Sequence, residues 1–218
     1  AGLRDFCAGT EAIFCKPAGL CGGEGIQRLV TADIQDYDKL YQQLVQGGQL
    51  LIEEPIRQHP DMCKLCPDSV NTVRIVTLVT EQDAQMVYAL VRMGMGGVCV
   101  DNVSSGGMYA PVNEQGQLYR PAFCDKTGKY YGRHPVTGTD IVGFQIPLFD
   151  QALALCRTAS KRVEEHLKYI GWDVAITPDG PVLVEGNNLP GYDMCQNAGH
   201  VDEGMLPRFE KLLGRPIM

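Results

Sequence analysis

GWDVAITPDGPVLVEGNNLPG, residues Gly171 to Gly191, decides how this chain is read. Two apolar runs, Trp172 to Thr177 and Pro181 to Glu185, flank Asp179-Gly180, a dipeptide suited to the positive φ angles of a two-residue hairpin turn. Side chains alternate across a strand, so Glu185 and Asn187 share one face, and the hairpin returns Asp173 beside them. Two carboxylates and an amide oxygen gathered in this way are hard donors. They suit Mg²⁺, which takes a few protein oxygens and leaves room for phosphate. The same stretch also suits a plain hairpin with its acids in water, and only context separates the two readings. Trp172, the one tryptophan, points to the opposite face and is expected in the core.

Upstream of this hairpin, Phe149, Ala152, Leu153, Cys156, Ala159, Val163 and Leu167 recur at helical spacing. They predict one long amphipathic helix with Pro147 in its first turn. Before it, Val70 to Val79 and Gln85 to Met93 are β-rich runs joined by Glu81-Gln82-Asp83, a hairpin signal. Val98 to Val103 and Met108 to Val112 read as further short strands, and Asn113 to Gly116 as a turn leading into Gln117 to Cys124. Met205, Leu206, Phe209, Leu212 and Leu213 predict a short closing helix.

The first quarter of the chain has its own pattern. Glu11 to Pro17 predicts a strand that ends in Lys16-Pro17 and enters a loop with Gly19, Gly22, Gly23 and Gly25. A lysine beside such a loop offers a fixed cation, together with backbone N–H groups that phosphates can approach closely because glycine lacks a Cβ. The sequence is neither a Walker A motif nor GxGxxG, and a glycine-rich turn can be only a turn. Ile26 to Val30 reads as a return strand, Asp36 to Val45 as a helix, and Gln49 to Glu54 as a strand stopped by Pro55. The polar loop from Arg57 to Ser69 then suggests a boundary, which gives two parts, 1–56 and 57–218.

Composition narrows the functions further. With 218 residues, 44% hydrophobic and 21% charged, the chain can build a sizeable core, and it has no apolar run long enough to span a membrane. A net charge of −7 disfavours nucleic acid and anionic lipid as partners, so a bound phosphate must meet a local basic cluster. Nine cysteines without a regular framework fit a reducing cytoplasm. Cys63-Lys64-Leu65-Cys66 has no partner motif at zinc-site spacing and reads as an unliganded loop pair. His59 and His134, each before a proline, read as surface histidines, although His134 could face an acceptor. The N-terminal AGLRDFCAGTEAIF carries no secretory pattern, runs almost at once into a strand and lacks an initiator Met. The chain is therefore expected to be a domain of something longer.

The order of these signals resembles the ATP-grasp superfamily. VNTVRIVT (Val70 to Thr77), RMGMGGVCVDNVSSGG (Arg92 to Gly107), RHPVTG (Arg133 to Gly138), GFQIP (Gly143 to Pro147) and YIGWDVAITPDGPVLVEGNNLPG (Tyr169 to Gly191) look like its sugar-transfer-associated family, over about Ile13 to Gly191. The resemblance implies an α+β fold in which two subdomains grip ATP between them. It gives Lys16 and the loop of Gly19, Gly22 and Gly23 the phosphates, and Glu53, Glu54 and Ile56 the adenine and ribose. Asp173, Glu185 and Asn187 would be the magnesium ligands, and Arg74, Arg92 and Asn102 would face the transferred phosphate or an acceptor carboxylate. The implied activity is ATP- and Mg²⁺-dependent ligation of a carboxylate to an amine through an acylphosphate, in bacterial polysaccharide or cell-surface biosynthesis, on a small-molecule acceptor. Phosphotransfer to a sugar-like hydroxyl is the alternative, and a non-catalytic nucleotide-binding module is a third reading. Superfamily members usually carry a further N-terminal domain and a second phosphate-binding lysine, so this chain is expected to be a shortened member.

Overall fold

The computed structural model describes residues 2–19, 25–96, 106–191, 193–194, 196 and 204–217. Two compact units divide the chain, Ala1–Ile56 and Arg57–Met218.

In the smaller unit, helix α1 (Gly2–Cys7) precedes strand β1 (Ala12–Lys16), so the chain does not run directly into a strand as its sequence suggests. β1 is the centre of a three-stranded antiparallel sheet, between β2 (Gln27–Val30) and β3 (Leu51–Glu53). Helix α2 (Tyr37–Gln46) begins at Asp36, whose carboxylate accepts from the backbone N–H groups of Asp38 and Lys39. This satisfies two of the helix's otherwise unpaired first donors. Ile13 and Cys15, on the inner face of β1, are buried with Cys7 and Leu44, and Leu3, Leu40 and Ile52 pack against them.

The larger unit is built on a seven-stranded antiparallel sheet in the order β10-β9-β4-β5-β6-β7-β8. Its strands are β4 (Val73–Val79), β5 (Ala84–Met93), β6 (Met108–Val112), β7 (Ala122–Cys124), β8 (Lys129–Tyr131), β9 (Tyr169–Thr177) and β10 (Gly180–Asn187). Helix α4 (Phe149–Ser160) covers one face, where Val73, Ile75, Ala89, Val91, Met93, Ile170, Trp172, Val174 and Ile176 form the main core with Phe149, Ala152 and Cys156. The C-terminal helix α5 (Leu206–Leu213) lies on the opposite face, and its Phe209 and Leu212 pack on a smaller cluster containing Val76, Leu78, Val87 and Tyr88. The short helix α3 (Pro60–Cys63) falls in the segment read from sequence as plain loop. His59 caps it, its Nδ1 accepting from the backbone N–H of Asp61.

Helix α4 is shorter than its periodicity predicts. It starts at Phe149, after Leu148 in a left-handed conformation (φ 54°), so Pro147 lies outside its first turn, and it ends at Ser160. The reason is a buried polar knot at that end. The Ser160 hydroxyl donates to the Cys156 carbonyl, and the indole N–H of Trp172 donates to Ser160 Oγ at 2.8 Å and Thr77 Oγ1 at 3.1 Å. Pinned there, the chain must turn to feed β9. Val163 and Leu167 still reach the core, but from the turn. The predicted strand at Val98 to Val103 lies outside the described residues.

His134 is not at the surface. It is 1% exposed, with Nε2 2.8 Å from the Gly94 carbonyl, and its Nδ1 accepts from the N–H groups of Val136 and Thr137. These bonds fix the tautomer with the proton on Nε2. A second proton would point Nδ1–H at two other donors. Burial lowers the pKa of His134, and the bond to Gly94 offsets this only in part. The folded protein therefore resists a proton that the unfolded chain accepts below about pH 6.5, and stability is expected to fall as pH drops through that value towards the folded pKa. Urea midpoints near pH 7.5 and pH 5.5 test this. A drop absent from His134→Gln assigns it to this residue, and equal midpoints in the parent protein would refute it.

Candidate active site

Strand register builds the candidate site. Asp173 on β9 is paired with Arg74 on β4 and with Glu185 on β10, so three charged side chains stand in one row across three adjacent strands. They lie on the sheet face opposite Trp172 and α4, as alternation along β9 requires. Arg92 on β5 is two residues along from Leu90, the partner of Arg74, and joins the same face.

Asp173 has no exposed surface and is held by two guanidinium groups. Nε of Arg74 donates to its Oδ1, Nη2 of Arg74 to Oδ2 at 2.8 Å, and Nη2 of Arg92 lies 3.0 Å from Oδ2. Such a two-point Arg–carboxylate pair fixes orientation as well as charge. Arg92 is itself steered by Thr72, whose Oγ1 accepts from its Nε at 3.0 Å and whose carbonyl accepts from its backbone N–H. Burial alone would raise the Asp173 pKa, but the hydrogen bond from Arg74 and the charges of Arg92 and Arg74 hold the carboxyl below its ordinary range. Burial would likewise lower the Arg74 pKa, and Asp173 more than restores it.

Glu185 sits at the surface end of the row. Partial desolvation first, then its contact with Asp173, push its carboxyl upward. Asn187 Nδ2 donates to Glu185 Oε1 at 3.3 Å and to the Gly171 carbonyl at 3.4 Å. Two glycines make room for this arrangement. A Cβ on Gly171 would sit 2.7 Å from Cβ of Pro190 and 3.2 Å from Cδ of Arg74, and one on Gly186 would sit 2.7 Å from Cζ3 of Trp172. The two 2.7 Å contacts are closer than side-chain carbons tolerate, and at 3.2 Å the Arg74 stem would have to give way.

The structure thus brings together five of the residues singled out in the sequence: Arg74, Arg92, Asp173, Glu185 and Asn187. Asn102, Gly22 and Gly23 lie outside the described residues. In the smaller unit, Lys16 and Glu53 occupy neighbouring positions on β1 and β3, and the Lys16 ammonium is ion-paired with the Glu53 carboxylate. Glu54 and Gly19 are exposed and Ile56 is half-buried. Thr72 and Gly171 were missed as positioning residues, although both stand within two residues of a charged position in the quoted motifs. Six of the cysteines are described and all are free thiols.

Magnesium fits the donor set in part. Glu185 and Asn187 offer neighbouring hard oxygens at the surface, whereas both oxygens of Asp173 already accept from guanidinium groups. Among the described residues, no group of three or more His, Cys, Asp or Glu could hold a metal, so the amide oxygen of Asn187 would have to serve as a ligand.

Solved structures that match this chain include a D-alanine–D-alanine ligase and a D-alanyl-alanine synthetase. The enzyme from Bacillus anthracis matches at 14% identity and a TM-score of 0.43, over 90% of this chain and 48% of its own. The same ligase complexed with ATP matches at 16% and 0.43, over 98% and 51%. The D-alanyl-alanine synthetase A of Vibrio cholerae matches at 12% and 0.47, over 99% and 52%. The chain spans about half the length of these ligases. No curated protein matches the sequence. No described helix is long and apolar enough to cross a membrane. The family model for sugar-transfer associated ATP-grasp proteins matches residues 2–212, nearly the whole chain, and the α+β arrangement agrees with it: this chain belongs to the sugar-transfer associated ATP-grasp family.

Proposed function

We propose that the chain is the nucleotide- and metal-handling part of an ATP-dependent ligase that joins a carboxylate to an amine through an acylphosphate. The observation that carries this reading is the convergence of Arg74 and Arg92 on buried Asp173, in register with Glu185. Phosphoryl transfer asks little covalent chemistry of a protein and depends on cations held in fixed places around the transferred group. Two guanidinium groups locked by one carboxylate are such cations, and their planar forks suit an acceptor carboxylate or an acylphosphate better than a sugar hydroxyl. Glu185 and Asn187, with Asp173 behind them, would hold Mg²⁺, which supplies charge neutralisation between phosphate oxygens. Lys16, kept in place by Glu53, would serve the phosphates, and Glu54 and Ile56 the nucleoside. Family membership supports ATP as the nucleotide, and the acceptor in this reading is a cell-surface or polysaccharide building block.

Hydroxylamine trapping tests the reaction class. A ligase given ATP, Mg²⁺ and a carboxylate substrate is expected to yield a hydroxamate, because hydroxylamine intercepts an acylphosphate but leaves a phosphate ester intact. A stable phosphorylated sugar with no hydroxamate, across a panel of acids and sugars, would overturn the ligase reading and establish phosphotransfer instead.

A further inference from the structure

Next to the row of Glu185, Asp173 and Arg74 runs a second one, in which Asn187 on β10 is paired with Gly171 on β9, Gly171 with Val76 on β4, and Val76 with Tyr88 on β5. Gly171 leaves a gap in this row. Buried Pro190 fills it, on the same face as the Arg74 stem, so the segment from Asn187 to Gly191 folds back over the site. Further along, Met194 packs on the cluster that contains Val76, Leu78 and Tyr88. Both contacts are apolar and non-directional. A polar contact joins them: the Tyr88 hydroxyl donates to the Gly191 carbonyl at 3.4 Å. Tyr88 is 6% exposed and stands two residues along β5 from Leu90, the partner of Arg74, a diagonal that an aromatic side chain can span.

We infer that Tyr88 is a positioning residue for the metal site: its hydroxyl latches the segment from Asn187 to Gly191 onto the sheet and so holds Asn187 beside Glu185 in the place a Mg²⁺ ion requires. The inference rests on the reading of Glu185 and Asn187 as magnesium ligands and adds a residue that acts through the loop between them and itself. The need for a latch comes from the fold. β10 ends at Asn187 and is the edge strand of the seven-stranded sheet, so ladder hydrogen bonds hold this residue from one side only. Mg²⁺ demands near-octahedral geometry and tolerates a loose ligand poorly. Pro190 and Met194 keep the chain near the face, whereas a hydrogen bond also fixes the orientation of the Gly191 peptide. At 3.4 Å the bond is long for a hydroxyl donor, so a modest effect is expected from its loss.

The test is Tyr88→Phe in the full chain, which removes the hydroxyl and keeps the ring in its cluster, so the unliganded melting temperature should stay close to the parent's. Backbone amide NMR relaxation of the unliganded protein reads the latch. The amides of Asn188, Leu189 and Gly191 should lose order, from rigid values near ~0.85 towards ~0.6. Thermal protection by ATP reads the metal site: the Mg²⁺ concentration that gives half of the full shift should rise about threefold, the lower part of what one neutral hydrogen bond contributes. Tyr131→Phe is the control. It removes a phenol hydroxyl whose 3.4 Å partner is Thr127, on the strand at the opposite edge of the sheet, and should change neither reading. Unchanged order at the three amides in Tyr88→Phe would overturn the latch. Lost order with an unchanged Mg²⁺ midpoint, or a lower melting temperature alone, would overturn the role at the metal site and leave Tyr88 a structural residue. If the parent's ATP shift does not depend on Mg²⁺, the metal reading of Glu185 and Asn187 falls and takes this role with it.

Discussion

Asp173→Ala is expected to lower the melting temperature of the protein by about 10 °C, since removing one partner of a buried ion pair costs ~3–5 kcal/mol and a chain of this size loses ~2–4 °C per kcal/mol. The size of the effect comes from what remains. The side chains of Arg74 and Arg92 are only 6% and 11% exposed, and both direct Nη2 at the carboxylate that would be gone. An uncompensated guanidinium in that position must draw in water or displace the sheet. The loss should therefore be reversible by a second change. Arg74→Met in the Asp173→Ala background removes the more deeply buried cation and keeps its stem against Gly171, so the double variant should regain part of the lost stability. Acid should act in the same direction. With its pKa held below that of the unfolded chain, Asp173 contributes stability above the ordinary carboxylate range, and that contribution is lost as pH falls through the folded value. A loss under about 1 kcal/mol, the scale of an exposed pair, would mean that Asp173 does not organise the two arginines.

How much of this was legible depends on whether the signal was local. The β9–β10 hairpin is legible from its turn signal, but the loop is Pro178-Asp179, with Gly180 already paired to Thr177, and Glu185 stands opposite Asp173 only because the register shifts between Leu183 and Glu185, an irregularity that plain alternation does not predict. The two arginines were legible as charged positions in a β-rich region. That both close on Asp173 was not, because the pairing of β4 with β9 joins residues 99 apart and no turn specifies it. The helix end at Ser160 was hidden for the same reason: the apolar spacing runs on to Leu167, and the stop comes from Trp172 and Thr77 on distant strands. His134 reads as polar and next to a proline, features of a loop surface. Its burial depends on the Gly94 carbonyl 40 residues away. Helix α1 is six residues long and β8 three, too short for periodicity to register.

Glu185→Gln is expected to abolish the Mg²⁺-dependent part of ATP's thermal protection. A ligand at a hundred times its Kd stabilises the folded state by ~2.7 kcal/mol, about 5–10 °C in a chain of this size. The parent protein should show that shift with ATP and Mg²⁺ and lose most of it when a chelator is added. Glutamine keeps the shape of Glu185 and one carbonyl oxygen but carries no charge, and Asp173 is already neutralised by Arg74 and Arg92. The substitution therefore leaves the site without an anionic ligand available to a dication. Asn187→Ala removes the neighbouring amide and should weaken the protection less, since it takes away a neutral oxygen. Glu164→Gln supplies the control: Glu164 is an exposed acid beside His166, away from the row, and its variant should keep the full shift. The melting temperature of unliganded Glu185→Gln separates binding from folding. Partial desolvation, and then its contact with Asp173, raise the pKa of Glu185, so the neutral amide should leave the unliganded protein at least as stable as the parent. Equal ATP shifts with Mg²⁺ and with chelator, or a full shift in Glu185→Gln, would remove this row of side chains from any role in holding the metal.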